Sequence, residues 1–243
     1  MGQDVPPGAL TEGPSPGEAP VEGRRRLSPV REYAEVVLVA VVFALFVRTF
    51  LVQAFVVPTP SMENTVLVGD HLVVNKFIFA PHLWAGILPY REISRGDVFV
   101  FKFPEDPQCD FIKRAVALPG DVLEIRDKVV FVNGEKQPDS RAIHAESRIW
   151  PNDRELPEAL RRRDQLAPAR IAAGTCFALG DNRDSSYDSR FWGPVPASNV
   201  KGRALFIYWS LAPPALPAAT GLAGRLKDVL HRTRWNRTFL SVR

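Results

Sequence analysis

Residues 110–121 read Asp-Phe-Ile-Lys-Arg-Ala-Val-Ala-Leu-Pro-Gly-Asp and combine a strand-like apolar run with a turn. The β-branched and aromatic residues predict a strand over 111–118, and Pro119-Gly120-Asp121 predicts the turn that ends it. Lys113 is the unusual residue, because burial in an apolar strand lowers the pKa of an amine. A lysine in a strand is more often a surface residue whose ammonium reaches water, so Lys113 alone does not define a site.

Short strand-like runs separated by turn residues continue on both sides of this stretch. They are Leu72–Val74, Asp97–Phe101, Val122–Ile125, Val129–Val132, Thr175–Leu179 and Ala204–Trp209. Asn133-Gly134 directly follows one of these runs and predicts a two-residue hairpin turn. The polar, arginine-rich and proline-broken stretch 139–170 predicts a small inserted subdomain, at about 135–171. We therefore predict a mainly β fold with one insertion.

A long apolar segment precedes the strands. Val36–Val47 is uninterrupted, and a second apolar stretch, Phe50–Val57, follows Arg48-Thr49. A helix over 32–54 has about the 20 residues that a membrane span requires, with Arg48 near its far end. A buried helix of a soluble protein is the rival interpretation. A cleaved signal peptide fits less well, because the polar leader is too long and no convincing small-x-small site follows.

Residues 1–31 are rich in Pro, Gly and Glu, which predicts a disordered tail. Arg24-Arg25-Arg26 and Arg31 precede the span, and positive charge remains on the cytoplasmic side of a membrane. We therefore expect a single-pass protein with a cytoplasmic N-terminus, the β domain (55–211) on the other face, and the lipid bilayer as a partner.

Composition narrows the possible partners. The 243 residues carry a net charge of only +4, and the arginines concentrate near the ends, so nucleic-acid binding is not indicated. Cys109 and Cys176 lie far apart without a CxxC motif or paired histidines, so we predict no metal site and no cofactor. Two separate thiols and one disulfide both remain open.

Ser61 lies a few residues after the apolar segment and is a candidate nucleophile. A serine hydroxyl needs a base to remove its proton, and that base is a histidine or a lysine with a lowered pKa. The four histidines stand in no recognisable triad context. Lys113 is therefore the better candidate for the base.

Four segments, taken in order and together with the span, resemble the bacterial type I signal peptidases, the membrane-bound Ser/Lys leader peptidases. The resemblance covers about residues 32–210 and leaves the polar insertion and both tails outside. The segments are Pro58-Thr59-Pro60-Ser61-Met62, Arg95–Phe101, Asp110–Asp121 and Gly180–Arg190.

The resemblance implies an all-β catalytic domain in which Ser61 is the nucleophile and Lys113 the general base. It also implies that Ser186 holds the lysine amine by a hydrogen bond, and that Thr59 Oγ1 and the Ser61 N–H form the oxyanion hole. Thr59 and Pro60 depart from the common Ser-Gly-Ser-Met form of the family. A threonine hydroxyl still donates a hydrogen bond, and Pro60 removes an N–H that this scheme does not use, so we expect activity.

The same resemblance implies supporting roles for Asp181, Asp188, Arg190 and Arg114. Side chains alternate along a strand, so Lys113 and Arg114 point to opposite faces and only one enters the cleft. We therefore predict that Arg114 pairs with Asp181.

The substrates implied by the resemblance are the signal peptides of exported preproteins, with small residues at positions −1 and −3. The family's shallow apolar pockets map to five residues of this sequence, which are Phe55, Val57, Met62, Val66 and Ile112. The implied location is the bacterial inner membrane, with the catalytic domain on its extracytoplasmic face.

Residues 212–243 begin with prolines and continue with apolar residues at helical spacing among arginines and lysines. This pattern predicts a proline-rich linker followed either by a basic amphipathic helix on anionic lipid or by a solvated tail.

Two other functions remain as alternatives. One is a specialised maturation peptidase with the same chemistry, dedicated to one secretion or pilus substrate. The other is an inactive, membrane-anchored binding protein, which the presence of both Ser61 and Lys113 disfavours.

Overall fold

The computed structural model describes residues 29–79, 90–214 and 221–242. The chain divides into two compact units, one ending at Phe43 and the other beginning at Ala44. Helix α1, Pro29–Phe46, continues into a π-helical turn, Val47–Leu51. Together they form one 23-residue segment that is long and apolar enough to cross a membrane. Most of the predicted tail, residues 1–28, lies outside the described residues.

The helical segment ends three residues before the predicted boundary at residue 54. Val52–Val56 instead forms strand β1, which pairs antiparallel with β2, Asp70–Asn75. The β-branched residues Val52 and Val56 and the aromatic Phe55 are compatible with a strand. Pairing with β2 also satisfies the β1 backbone without a helix.

The fold is mainly β, as predicted, and every strand-like run found in the sequence overlaps a strand, with only Asp97 and Leu118 at the ends of their runs lying outside. Within the described residues, eleven strands form two antiparallel sheets, ordered β1-β2-β11-β3-β4-β9-β10 and β7-β6-β5-β8. The remaining strands are β3, Val98–Lys102; β4, Asp110–Ala117; β5, Val122–Arg126; β6, Val129–Val132; β7, Glu135–Lys136; β8, Leu166–Arg170; β9, Thr175–Leu179; β10, Val195–Pro196; and β11, Val200–Ser210.

The predicted hairpin turn joins β6 to β7. Asn133 and Gly134 have φ values of 55° and 82°, the left-handed conformation that this type of two-residue turn requires. The insertion contributes β7, a short helix α2 at Glu158–Arg161, and β8, which pairs with β5. The inserted stretch is thus partly built into the second sheet.

Three apolar clusters form the core of the described residues. The first contains Val57, Met62 and Val66 together with inward side chains of β2, β3, β4 and β11. The second lies between the small sheet and β9, and the third surrounds Phe99 and Phe101. Cys109 is exposed and Cys176 is buried in the third cluster, and both are free thiols.

Of the two structures expected after the proline-rich linker, a helix and a solvated tail, the described residues contain a helix. Residues 215–220 lie outside the described part. The helix that follows the short α3, Ser189–Trp192, is α4, Leu222–Arg232, and Trp235–Arg237 forms a 3₁₀ turn. Beyond this turn the chain hydrogen-bonds to β11, with Phe239 N donating to Ile207 O at 2.7 Å and Val242 N donating to Leu205 O at 2.9 Å. The segment is therefore docked on the large sheet.

Candidate active site

Ser61 lies in a 3₁₀ turn, Pro60–Met62, that follows β1. Pro60 starts the turn with a fixed φ, and the side chain of Met62 is fully buried in the first apolar cluster. The carbonyl of Ser61 accepts a hydrogen bond from Asn182 N at 3.1 Å. These contacts hold the serine turn against the core. Ser61 is only 5% exposed.

Lys113, on β4, reaches this serine. Its Nζ donates to Ser61 Oγ at 2.6 Å, and the lysine is 3% exposed. Burial lowers the pKa of the amine to about 8, against an ordinary value of 10.5. The negative charges of Asp188 and Asp181 raise the pKa of the amine, and the positive charge of Arg190 lowers it further. With this pKa, roughly a tenth of the amine is neutral at pH 7 and about half at pH 8, and the neutral form can accept a proton.

The Thr59 hydroxyl lies beside the serine hydroxyl. Thr59 Oγ1 and Ser61 Oγ are 3.4 Å apart, and either atom can donate. Thr59 is exposed, so its hydroxyl can rotate toward a substrate oxygen.

Arg114 pairs with Asp181, as predicted from strand alternation. Arg114 Nε donates to Asp181 Oδ1 at 2.8 Å and Nη2 donates to Oδ2 at 2.7 Å, which is bidentate geometry. The same Nη2 donates to Thr65 Oγ1, whose hydroxyl in turn donates to Asp181. Thr65 follows Ser61 by four residues, so this pair supports the turn that carries the serine.

Asp188 and Arg190 form a second buried pair. Arg190 Nε donates to Asp188 Oδ1 at 2.8 Å, and Gly180 N donates to Asp188 Oδ2 at 3.1 Å. Burial alone would raise the pKa of the Asp188 carboxyl, but the charge and hydrogen bonds of Arg190 hold it below its ordinary value. Arg190 also donates to the carbonyls of Arg163 and Arg183, at 2.7 and 2.6 Å. This pair therefore joins the loop after β9 to the insertion.

The predicted hydrogen bond between Ser186 and the Lys113 amine is not present. Ser186 is buried, but its Oγ has no hydrogen-bond partner among the described residues. The hydroxyl instead packs against Gly180, where an added Cβ would lie 2.2 Å from Ser186 Oγ and 2.4 Å from Ser61 O. The absence of a side chain at Gly180 thus allows three segments to meet, while the amine is directed to Ser61.

A cleft of about 210 Å³ opens beside the serine and the lysine. Of the five predicted pocket residues, Phe55 and Ile112 line it. Val57, Met62 and Val66 lie in the core and are at most 1% exposed, because their turn packs inward. These three residues therefore do not line this cleft, and their part in substrate binding stays a prediction.

Sequence reasoning missed five residues of the cleft wall, one of which is Pro58, between β1 and the serine turn. Phe111 was recoverable, because it is two residues from Lys113 and alternation places both on one face. Asp110, Ser185 and Tyr187 line the cleft from strand and loop ends, where alternation gives no guidance. The full set of lining residues is Phe55, Pro58, Thr59, Ser61, Asp110, Phe111, Ile112, Lys113, Ser185 and Tyr187.

Comparison with known proteins gives a consistent result. The family model for signal peptidase, peptidase S26, matches residues 30–209. Signal peptidase I of Pseudomonas fluorescens is 33% identical over 211 residues, covering 76% of this chain and 74% of that protein. Signal peptidase I of Aquifex aeolicus is 32% identical over 217 residues, covering 71% and 81%.

A solved structure also matches part of the chain. The crystal structure of a signal peptidase I from Enterococcus faecalis covers 46% of this chain and 97% of its own, with 26% identity and a TM-score of 0.36. The family match spans the serine turn, β4 and the loop after β9. On the family model and the sequence relatives, this chain belongs to the signal peptidase family, peptidase S26, and is a serine endopeptidase.

Proposed function

We propose that this protein is a membrane-anchored endopeptidase that removes signal peptides from exported preproteins with a Ser61/Lys113 pair. The family supports signal-peptide removal as the activity. The single observation that supports the pair is the 2.6 Å hydrogen bond from Lys113 Nζ to Ser61 Oγ.

Acylation starts from the neutral amine. Lys113 accepts the proton of Ser61 as Oγ bonds to the scissile carbonyl carbon, and the carbonyl oxygen becomes an oxyanion. Thr59 Oγ1 and the Ser61 N–H donate to that oxyanion. The carbon–nitrogen bond then breaks, Lys113 returns the proton to the leaving amine, and the signal peptide remains as an ester on Ser61.

Deacylation uses the same base. Lys113 accepts a proton from water while the water oxygen attacks the ester carbon, and the carbon–Oγ bond then breaks. The proton returns to Ser61 Oγ, and the signal peptide leaves with a new carboxylate. No group other than water is consumed, so the enzyme returns to its starting state.

The supporting pairs act on geometry. Asp181 and Arg114 hold Thr65, and through it the turn that carries Ser61. Asp188 and Arg190 fix the loop beside Lys113 and set part of the electrostatic environment of the amine. Ser186 contributes packing against Gly180 in this arrangement, without a hydrogen bond to the base.

The size of the cleft supports cleavage after small residues. A volume of about 210 Å³, bounded by Phe55 and Ile112, suits small side chains at positions −1 and −3 better than large ones. An extended peptide bound along an exposed backbone edge would leave most of the selectivity to these contacts.

The helical segment Pro29–Leu51 supports membrane anchoring. The arginines that precede it favour a cytoplasmic N-terminus and a catalytic domain outside the cytoplasm, at the bacterial inner membrane. Sharing a bilayer with the substrate's apolar segment raises the effective concentration of that substrate.

The test is cleavage of an Ala-x-Ala preprotein in detergent. Ser61→Ala and Lys113→Met should each reduce kcat to background, because one removes the nucleophile and the other removes the base. Ser198→Ala and Lys102→Met are matched controls at exposed positions and should behave as wild type. Full activity in either active-site variant would overturn the assignment.

A further inference from the structure

We propose that the C-terminal segment, residues 221–242, binds the surface of an anionic lipid bilayer and presents its apolar side chains to that bilayer. This goes beyond the proposed function, which uses only the N-terminal helix for membrane attachment. Four observations carry the inference.

The first observation is the orientation of α4. Arg232 donates to Ala212 O at 2.8 Å and to Asp228 Oδ2 at 2.8 Å, so the polar side of the helix faces the domain. Leu226 lies two positions before Asp228, and Leu230 lies two positions before Arg232. Two positions correspond to about 200° around a helix, so each leucine points away from the polar side. They are 59% and 54% exposed. The apolar side of this helix is turned away from the protein, opposite to the usual arrangement of a surface helix.

The second observation is that the exposed apolar surface continues after the helix. Trp235 is 64% exposed and Phe239 is 76% exposed. Tryptophan and phenylalanine at such positions are typical of segments that lie in the interface between headgroups and acyl chains. The exposure thus extends over a 14-residue stretch, from Leu226 to Phe239.

The third observation is that the segment is held in place. Trp209 Nε1 donates to Thr233 Oγ1 at 3.2 Å, and Ala212 N donates to Arg232 O at 2.9 Å. Phe239 has a φ of 63°, a left-handed conformation that a bulky residue adopts only at a free-energy cost. The backbone is thus fixed in a strained form that leaves the aromatic ring outside, which a solvated tail would not require.

The fourth observation is charge, which selects lipid as the occupant. Residues 221–243 contain six arginines and lysines and a single acidic residue, Asp228. Arg232 pairs with Asp228, and Arg234 and Arg237 pair with Asp70, so these three arginines are engaged within the protein. Arg225 and Lys227 lie on the exposed part of α4. An apolar stripe flanked by cations matches a bilayer containing anionic headgroups.

The experiment uses the full chain reconstituted in vesicles of phosphatidylethanolamine and phosphatidylglycerol. Cys109→Ser with Cys176→Ala removes the native thiols, and single cysteines then carry a spin label at Leu230, Trp235 or the control position Arg126. Arg126 is an exposed residue on β5, in the other sheet. Collisions with oxygen, which concentrates in the bilayer, are compared with collisions with a water-soluble nickel chelate.

We expect a several-fold higher oxygen-to-nickel collision ratio at Leu230 and Trp235 than at Arg126. Equal ratios at all three positions would overturn the proposal. Protection from both reagents at Leu230 and Trp235 would also overturn it, because that result indicates a protein surface, such as a second copy of the chain. This readout does not depend on the Ser61/Lys113 assignment.

A second variant tests the consequence for activity. Leu226→Glu combined with Leu230→Glu should lower preprotein processing several-fold in these vesicles and leave cleavage of a soluble peptide in detergent unchanged. Ile149→Glu, at an exposed apolar residue of the insertion, is the matched control and should have no effect in vesicles. Unchanged processing by the double variant in vesicles would contradict the proposal.

Discussion

Two buried aspartates hold the segment from Ser61 to Asp70, one at each end. Asp181 binds Arg114 and Thr65 near the serine. Asp70 is fully buried at the other end and accepts from Leu67 N, from Ser210 Oγ at 2.6 Å and from Arg237 Nη2 at 2.7 Å.

The partners of the two aspartates come from different parts of the chain. Those of Asp181 lie on β4 and in the serine segment itself, and Asp181 also acts electrostatically on Lys113. Arg234 and Arg237, which reach Asp70, come from the C-terminal segment and also donate to the carbonyls of Val68 and Thr65. One aspartate is therefore coupled to the proposed chemistry and the other to the docking of the C-terminal segment.

Thr59→Val shows how a loss of catalysis without a loss of stability would look, because Thr59 is not a partner of Asp181 or Asp70. We expect kcat to fall by about 10²- to 10³-fold, because one oxyanion donor is removed. KM and the melting temperature should change little, and Thr59→Ser should retain most of the activity. Steady-state kinetics on a preprotein substrate measure this, and an unchanged kcat in Thr59→Val would exclude the oxyanion role.

Asp181→Asn should reduce both activity and stability. The buried guanidinium of Arg114 loses its counter-charge, which costs about 3 kcal/mol in the free energy of unfolding. That loss corresponds to a decrease of roughly 6 to 12 °C in the melting temperature. We also expect kcat to fall at least about tenfold, because the serine turn loses its support. Asp153→Asn, at an exposed loop position, serves as the control.

Asp70→Asn should separate stability from catalysis. It leaves Arg237 without its buried carboxylate partner and should destabilise the protein by about 3 kcal/mol, as Asp181→Asn does. The kcat at a temperature where the variant is folded should remain within a few-fold of wild type. A kcat loss as large as that of Asp181→Asn would show that both ends of the segment matter equally for the chemistry.

The smallest expected effect is a shift in the pH profile. The reaction needs the neutral Lys113 amine, so kcat/KM of the wild type should rise with pH through an apparent pKa of about 8. The negative charge of Asp181 raises the pKa of that amine, so Asp181→Asn should move the rising limb to lower pH. Asp70→Asn should leave the limb in place. A shift in Asp70→Asn but not in Asp181→Asn would reverse the comparison.

The sequence was most informative where signals are local. Strands β2 to β6, β9 and β11 followed from side-chain alternation, and the Asn133-Gly134 turn followed from residue type. The Arg114–Asp181 pair followed from alternation together with the family motifs. These features depend on neighbouring residues, which the sequence displays directly.

The failures are long-range. The first three residues of β1 were assigned to the membrane helix because the apolar stretch Phe50–Val57 continues the span, and only pairing with β2 distinguishes them. The position of the Ser186 hydroxyl and the burial of Val57, Met62 and Val66 depend on how segments approach one another at Gly180 and in the core. The Asp70–Arg237 pair joins residues 167 positions apart, and no local pattern predicts such a contact.

The attachment of residues 239–242 to β11 has a practical consequence for handling the protein. β11 pairs with β3 only as far as Arg203. Residues 239–242 hydrogen-bond to β11 beyond that point, at Leu205 and Ile207. Deleting them would uncover backbone donors and acceptors on an apolar strand, and exposed strand edges promote aggregation. Affinity tags and truncations for purification therefore belong at the N-terminal end of the chain, away from this edge.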